Sequence, residues 1–505
     1  MGLVAGAIGA FRTGSAVDQD VRSWALEELG HAELGDARRT ARLVAMAERM
    51  AGHGHGRVTT TFEVDAERQG AYRWLENRAI LQESLVEAVG VACARRGAGF
   101  ATIIVPADKS SITLTDPNGV KGFGAVGPSN REARGMQALN ALGVSLEGDT
   151  LGVMAQELWM RPPPRPRRRR KRTKRERARH ENRRKRNVRK RPTQEKETQR
   201  WLDVITTTVR LCKEHAPQSR CWFQLDREGD ACSILATLQA TGHDWTVRSA
   251  RDRRVLQPDG STIPLRRQML VQPWLGHVWL DVAAGPNRAA RRALVLIHAR
   301  EVELDLRDAR TSRHSQLRVQ AVWATEAGTC PPGEQPIDWL LLTNHPVHTL
   351  AEAQQVLDAY ATRWRIEEVH RTWKKGGCHV ETTQLRSEAA VKKWATLLFT
   401  VAARTERLKT LARASPDQPA SVDLSPYEVR ALLLLKNRQK KRTEVIPKTA
   451  PSIGQAVLWI AELGGYTGKS SGGPPGSVTI GRGLARVLIA AEVLKAIDEQ
   501  GGPKM

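Results

Sequence analysis

The segment Tyr360-Ala-Thr-Arg363-Trp-Arg-Ile-Glu367-Glu368-Val-His370-Arg-Thr-Trp373-Lys374 reads as a helix. Within it Tyr360, Arg363, Glu367 and Lys374 follow one another at offsets of three, four and seven. At about 100° per residue these offsets place all four on one stripe. An acid set among cations and a phenol makes a poor core face but a good one for holding a metal ion beside a phosphate. By itself the stripe reads as a solvated charged face, with Glu367 pairing Arg363 or Arg371. What changes that reading is the presence of two more acids elsewhere.

Ala101-Thr-Ile-Ile-Val-Pro-Ala-Asp108 and Cys221-Trp-Phe-Gln-Leu-Asp226 read as buried strands, each ending in a carboxylate. In an α/β sheet, ligand sites form at the carboxyl ends of strands. Neither aspartate is near Glu367 in sequence, so only folding can join them. Three converging carboxylates repel one another and keep protons unless a cation intervenes. Mg²⁺ takes oxygen ligands from a few carboxylates plus substrate phosphate, and two such ions suit in-line phosphoryl transfer. Arg363 and Lys374 would then grip flanking phosphates, with Tyr360 bonding a phosphate or packing on DNA. An acid after a strand is also a common surface turn, and Asp116, Glu228, Asp230 and Glu368 offer the same chemistry on composition.

The 505 residues are enough for more than one domain, and a net charge of +25 favours a polyanionic partner, nucleic acid first. Residues 165–191 concentrate that charge, with 18 Lys/Arg against Glu176 and Glu181, yet the rest of the chain is basic too. This Arg-rich insert (162–194) reads either as a solvated, disordered run or as a sequence-independent phosphate binder. No apolar stretch is long enough for a membrane span. The start lacks the basic residues of a secretory signal. Six scattered cysteines without a CxxC pair fit neither a zinc site nor a disulfide framework, and suit a reducing cytoplasm.

Residues 20–90 read as helices. Asp36 is placed to cap one that carries Arg38, Arg39 and Arg42 on one face, and a second spans Glu67–Asn77. Strands follow at 137–146, 151–159 and 245–248, with a β-rich segment over 252–345 and a long helix over 350–375. Helices then occupy 390–412, 452–463 and 485–497, with a polar linker after 412. Trp74 and Trp373 read as core, Gly122-Phe-Gly124-Ala-Val-Gly127 as a glycine pattern without strand–helix context, and Cys378-His379 as incidental.

Those residues resemble bacterial cut-and-paste DDE transposases of the insertion-sequence-four type, the Tn-five-like transposases. The signature Tyr-x2-Arg-x3-Glu-x6-Lys stands at Tyr360, Arg363, Glu367 and Lys374. Leu-Gly-Asp-x-Arg-Arg-Thr-Ala-Arg-Leu (34–43), Gly-Ala-Tyr-Arg (70–73), Trp-Met-Arg-Pro (159–162), Asp-Arg-Glu-x-Asp (226–230), Val-Arg-Ser (247–249) and Trp-Leu-Leu-Leu-Thr (339–343) accompany it in family order. The resemblance implies an α/β fold: an RNase H-like catalytic core (91–400) with a β-rich insertion (252–345). Helical domains would flank it, an end-binding one at 1–90 and a dimerisation one at 401–505. It implies Asp108, Asp226 and Glu367 as a triad binding two Mg²⁺ ions, with Mn²⁺ substituting. Arg248, Tyr360, Arg363 and Lys374 match residues holding end DNA, Trp339 a tryptophan near a flipped base, and Arg38, Arg39, Arg42 and Arg73 an end-binding region. Double-stranded DNA (transposon ends and target), a synaptic homodimer and a bacterial cytoplasmic, nucleoid-associated location follow. The implied reaction is strand cleavage by a hairpin route, then strand transfer. A nuclease of the same chemistry without strand transfer, or a catalytically silent transposase-derived DNA-binding protein, are the alternatives. Two features depart from the family: Lys109-Ser110 stands where Thr-Thr is usual, and the Arg-rich insert is not a family element.

Overall fold

A computed structural model of the chain describes residues 23–500 apart from 117–118, 128–132, 163–172, 174, 177, 180–181, 184–191, 272, 283–288, 309, 329, 441–445, 447–448 and 470–472. The Arg-rich insert therefore lies mostly outside the described residues. The chain begins with helices α1 (Trp24–Leu29), α2 (Ala37–His53), α3 (Asp65–Glu76) and α4 (Gln82–Gly97). Asp36 caps α2 as its sequence position predicts, accepting the Arg38 backbone N–H at 2.9 Å. Four strands follow: β1 (Thr102–Leu114), β2 (Gly124–Ala125), β3 (Arg134–Val144) and β4 (Thr150–Trp159). Next come α5 (Thr198–His215), β5 (Arg220–Leu225), α6 (Cys232–Ala240) and β6 (Asp244–Arg248).

The β-rich segment holds β7 (Arg254–Leu256), β8 (Thr262–Pro264), α7 (Leu265–Leu270), β9 (Gly276–Val282), β10 (Arg291–Arg307), β11 (His314–Glu326) and β12 (Asp338–Thr343). Among the described residues six α-helices follow: α8 (Leu350–Ala361), α9 (Trp364–Lys374), α10 (Glu388–Ala414), α11 (Pro426–Gln439), α12 (Ile453–Leu463) and α13 (Ser477–Glu499). Among the described residues no helix is long and apolar enough to cross a membrane.

One mixed, mostly antiparallel sheet runs through the middle in the order β2-β3-β1-β5-β6-β12-β11-β10-β7-β8, with β4 paired to β3 and β9 to β10. Only β1, β5 and β6 run parallel to one another. Their alternation fills both faces. Ile104 and Trp222 join the cluster beneath α2–α4 and α8–α10, while Ile103, Val105, Cys221 and Phe223 join the one beneath α5 and α6. A third cluster packs α11, α12 and α13 against the end of α10.

Three sequence expectations are corrected. β1 does not stop at Asp108 but runs on to Leu114, because β3 supplies antiparallel partners from Ile104 to Leu114; pairing overrides the poor strand propensity of Asp-Lys-Ser-Ser. The helix quoted at the outset is two helices. Thr362 Oγ1 donates to the Asp358 carbonyl at 3.0 Å and the Arg363 N–H bonds Tyr360 three residues back rather than four, which ends α8 and restarts the chain as α9. The stretch read as a polar linker contains α11, whose start carries a complete capping box, Ser425 with Glu428, and Pro426 in the first turn. Trp74 and Trp373 are core, as read from the sequence.

Helix α10 ties the first and third clusters together. Trp394 and Phe399 lie in the first and Leu408 and Leu411 in the third. Its indole at Trp394 donates to Gly56, and its Ala395 carbonyl accepts from Trp373 on α9. It also buries two arginines. Asp423 pairs with Arg404 at 3.2 Å and Arg407 at 2.9 Å, and Glu428 pairs with Arg404 at 2.9 Å. Removing one partner of such a group strands an uncompensated charge. Asp423→Ala is therefore expected to destabilise the protein by about 3–5 kcal/mol, read as a lower urea midpoint at unchanged slope.

Candidate active site

β1 and β5 pair in parallel register up to Ala107 opposite Leu225. The next residue on each strand is an aspartate, so Asp108 and Asp226 are neighbours across adjacent strands. Asp108 lies inside β1; Asp226 leaves β5 and accepts the Glu228 backbone N–H at 2.8 Å, capping a short 3₁₀ turn. Helix α9 packs across β1 and carries Glu367 in its first turn. Arg363, at the joint before α9, bridges the acids: its guanidinium lies 3.2 Å from Glu367 and 3.6 Å from Asp108.

The electrostatics are unbalanced. Burial pushes the Asp108 carboxyl up to about 7; Arg363 opposes this, and Asp226, Glu367 and Glu228 add to it. Arg363 is itself buried, with Nε and Nη1 lacking hydrogen-bond partners. Among the described residues no three His, Cys, Asp or Glu side chains stand close enough together to hold a metal as they are; the guanidinium stands between two of the acids. The donor set nonetheless fits a hard divalent cation: three carboxylates, one of them a buried acid that burial makes hard to ionise without added positive charge.

Tyr360, Arg248 and Trp339 form the adjoining wall. Burial raises the Tyr360 phenol above its usual range while the neighbouring Arg363 and Arg248 oppose this, and its buried ring packs edge-on against Trp339 at 5.4 Å. Arg248 donates to the Asp338 carbonyl at 2.9 Å and keeps Nε unpartnered. Lys374, one helical pass beyond Glu367, is pulled below the usual lysine range by burial, against the pull of Glu381 and Asp108.

Lys109 points away from these acids, as alternation along β1 requires. It pairs with Glu228 at 2.6 Å and Glu197 at 3.4 Å, and Glu197 is clasped by Arg161 through two bonds of 2.5 and 3.0 Å. Its charge is thus neutralised on the opposite face. The competing acids are engaged elsewhere. Asp230 is locked to Arg253, Asp116 accepts the Lys121 and Phe123 N–H groups, and Glu368 pairs with Arg365 and Lys409.

The N-terminal arginines sit apart, on α2 and α3. Arg38, Arg42 and Arg73 are exposed, whereas Arg39 turns its guanidinium to the Leu34 carbonyl and is partly structural. Trp364, half exposed beneath Arg363, and the buried His370, 3.7 Å from Asp108, belong to the site and were given no role on sequence grounds. The signal for His370 was its spacing of three from Glu367 on one helix.

Three family models match the chain in order. "Transposase DNA-binding" covers residues 21–80, "Transposase DDE domain" 153–403 and "Transposase Tn5 dimerisation domain" 400–498. The first spans Arg38, Arg39, Arg42 and Arg73. The second spans Asp226 and Glu367 but begins beyond Asp108, which enters the site on register alone.

Asp108 yields a test of the electrostatics. Its folded pKa lies above the unfolded value, so without divalent ions its contribution is present below about pH 4 and is lost as pH rises to about 7. Asp108→Asn is expected to melt above the parent at pH 8 without metal and to lose the pH dependence between these limits, measured by thermal scans in EDTA.

Proposed function

The chain belongs to the Tn5-like DDE transposases, metal-dependent enzymes of DNA phosphoryl transfer that bind DNA and dimerise, and from that premise we propose a cut-and-paste transposase acting through Asp108, Asp226 and Glu367. The observation that carries the assignment is the register of Asp108 beside Asp226, with Glu367 laid over them and Arg363 bridging. The strand order β4-β3-β1-β5-β6, with β3 antiparallel to both neighbours, supports an RNase H-like core interrupted by the β-rich insertion.

The three carboxylates would hold two Mg²⁺ ions, or Mn²⁺, which when bound activate the attacking oxygen and stabilise the leaving one. Arg363, Lys374 and Arg248 hold the phosphates on either side of the scissile bond, and the Tyr360 hydroxyl orients one of them. Trp339 is placed beside Tyr360 to stack on a base displaced at a hairpin intermediate. Arg38, Arg42 and Arg73 grip the backbone of the transposon end, and helices α11–α13 pair two subunits into a synaptic dimer that joins the ends to target DNA. A cytoplasmic, nucleoid-associated setting suits that reaction.

Glu367→Gln is expected to lower end cleavage in Mg²⁺ by more than about a hundredfold, since even outer-shell changes cost 10–100-fold, while end binding in gel shifts stays at the parental level. Cleavage at the parental rate refutes the triad. Precut ends should be joined to a target plasmid by the parent; products of cleavage without joining identify a nuclease instead. Arg42→Ala with Arg73→Ala should weaken end binding and reduce the slope of log affinity against log salt by about 0.9 per lost phosphate contact.

A further inference from the structure

A row of buried polar side chains crosses the sheet from Asp108. β1 pairs with β3 so that Asp108 faces Asn140, and β3 with β4 so that Asn140 faces Gln156. Asn140 is fully buried and Gln156 and His370 nearly so, in a part of the fold otherwise lined by Trp373 and Phe399. Polar groups placed there cost stability unless each is satisfied; Asn140, Gln156 and Thr396 are joined by hydrogen bonds, and His370 Nδ1 faces Asp108.

The hydrogen bonds run one way. Thr396 on α10 donates to Gln156 Oε1 at 2.6 Å, and Gln156 Nε2 donates to Asn140 Oδ1 at 2.8 Å. The Asn140 amide therefore turns its Nδ2 to His370 Nε2, 2.8 Å away. Nε2 accepts, so the ring proton of neutral His370 is on Nδ1, and Nδ1 lies 3.7 Å from Asp108 Oδ2. Gln82, at the start of α4, closes the far end by donating to Thr396 at 3.1 Å.

We propose that His370 is the positioning residue of the active site: Asn140 and Gln156 fix its tautomer so that the Nδ1–H orients one oxygen of Asp108 and leaves the other for the metal. Carboxylate ligands are commonly held by such outer hydrogen bonds, and long contacts in a metal-free site tighten on loading. The inference rests on the reading of Asp108 as a metal ligand.

Two readouts separate them. In metal-free protein labelled with ¹⁵N-histidine, the His370 signal (identified by its loss in His370→Asn) is expected in the Nδ1–H form, and Asn140→Asp, which cannot donate, should switch it to Nε2–H. A parental Nε2–H signal, or one that Asn140→Asp leaves unchanged, overturns the proposal whatever the catalytic role of Asp108. In cleavage assays, His370→Leu should raise the Mg²⁺ concentration for half-maximal rate by about 10–100-fold with end binding in EDTA unchanged. His370→Asn, whose amide N–H reaches the Nδ1 position, should recover most of it and His370→Gln should not. Equal metal dependence in the Asn and Gln variants overturns the proposal even where the Leu variant fails to fold. If Asp108→Asn still cleaves, the triad reading falls; if it is dead while His370→Leu keeps the parental metal requirement, only the positioning role falls.

Discussion

Two carboxylates side by side on adjacent parallel strands repel, and everything around them answers that repulsion. Asp108 and Asp226 are held together by strand pairing, which neither side chain can escape without breaking the sheet. Glu367 adds a third negative charge from above. The response is graded by distance. Arg363 lies between the acids, Lys374 stands farther along α9, and Lys109 and Glu228 neutralise each other on the far side. Burial, more than the neighbouring acids, pushes the Asp108 carboxyl up to about 7, and Arg363 only partly opposes it. A buried acid cluster favours cations, and Arg363 supplies one between Asp108 and Glu367.

The break between α8 and α9 belongs to the same arrangement. A straight helix would carry Tyr360 and Arg363 on the stripe with Glu367; the jog instead seats Tyr360 in the core against Trp339 and leaves Arg363 at the joint. α9 is then fixed from behind by α10 through Trp373. Because α10 also anchors the N-terminal helices and the C-terminal bundle, the acids are positioned by the same helix that joins the DNA-binding and dimerisation regions.

Much of this was legible in the sequence. The strands around 101–108 and 221–226 announce themselves as apolar runs bounded by turns, and the quoted motifs hold Asp226 and Glu367, while Asp108 stands out only as the acid that ends its apolar run. Strand length was not legible, because the continuation of β1 past Asp108 depends on a partner more than twenty residues away. The helix break was hidden because Thr362 is unremarkable in composition and acts through a bond to its own helix. Helix α11 had its signal, Ser-Pro-Tyr-Glu, and was passed over for the polar residues around it. His370, Asn140 and Gln156 illustrate the deeper limit. A lone polar residue in an apolar strand looks like noise until register aligns it with another.

The clasp between Arg161 and Glu197 closes the chain just outside β4 and α5. Arg161 follows β4 and Glu197 stands at the start of α5, so the length and content of what lies between are decoupled from strand register. Loop closure costs little more as a segment grows, and insertion at such closed ends is the way domains acquire modules. A segment of any length can thus be carried between Arg161 and Glu197 while Asp108 and Asp226 keep their register.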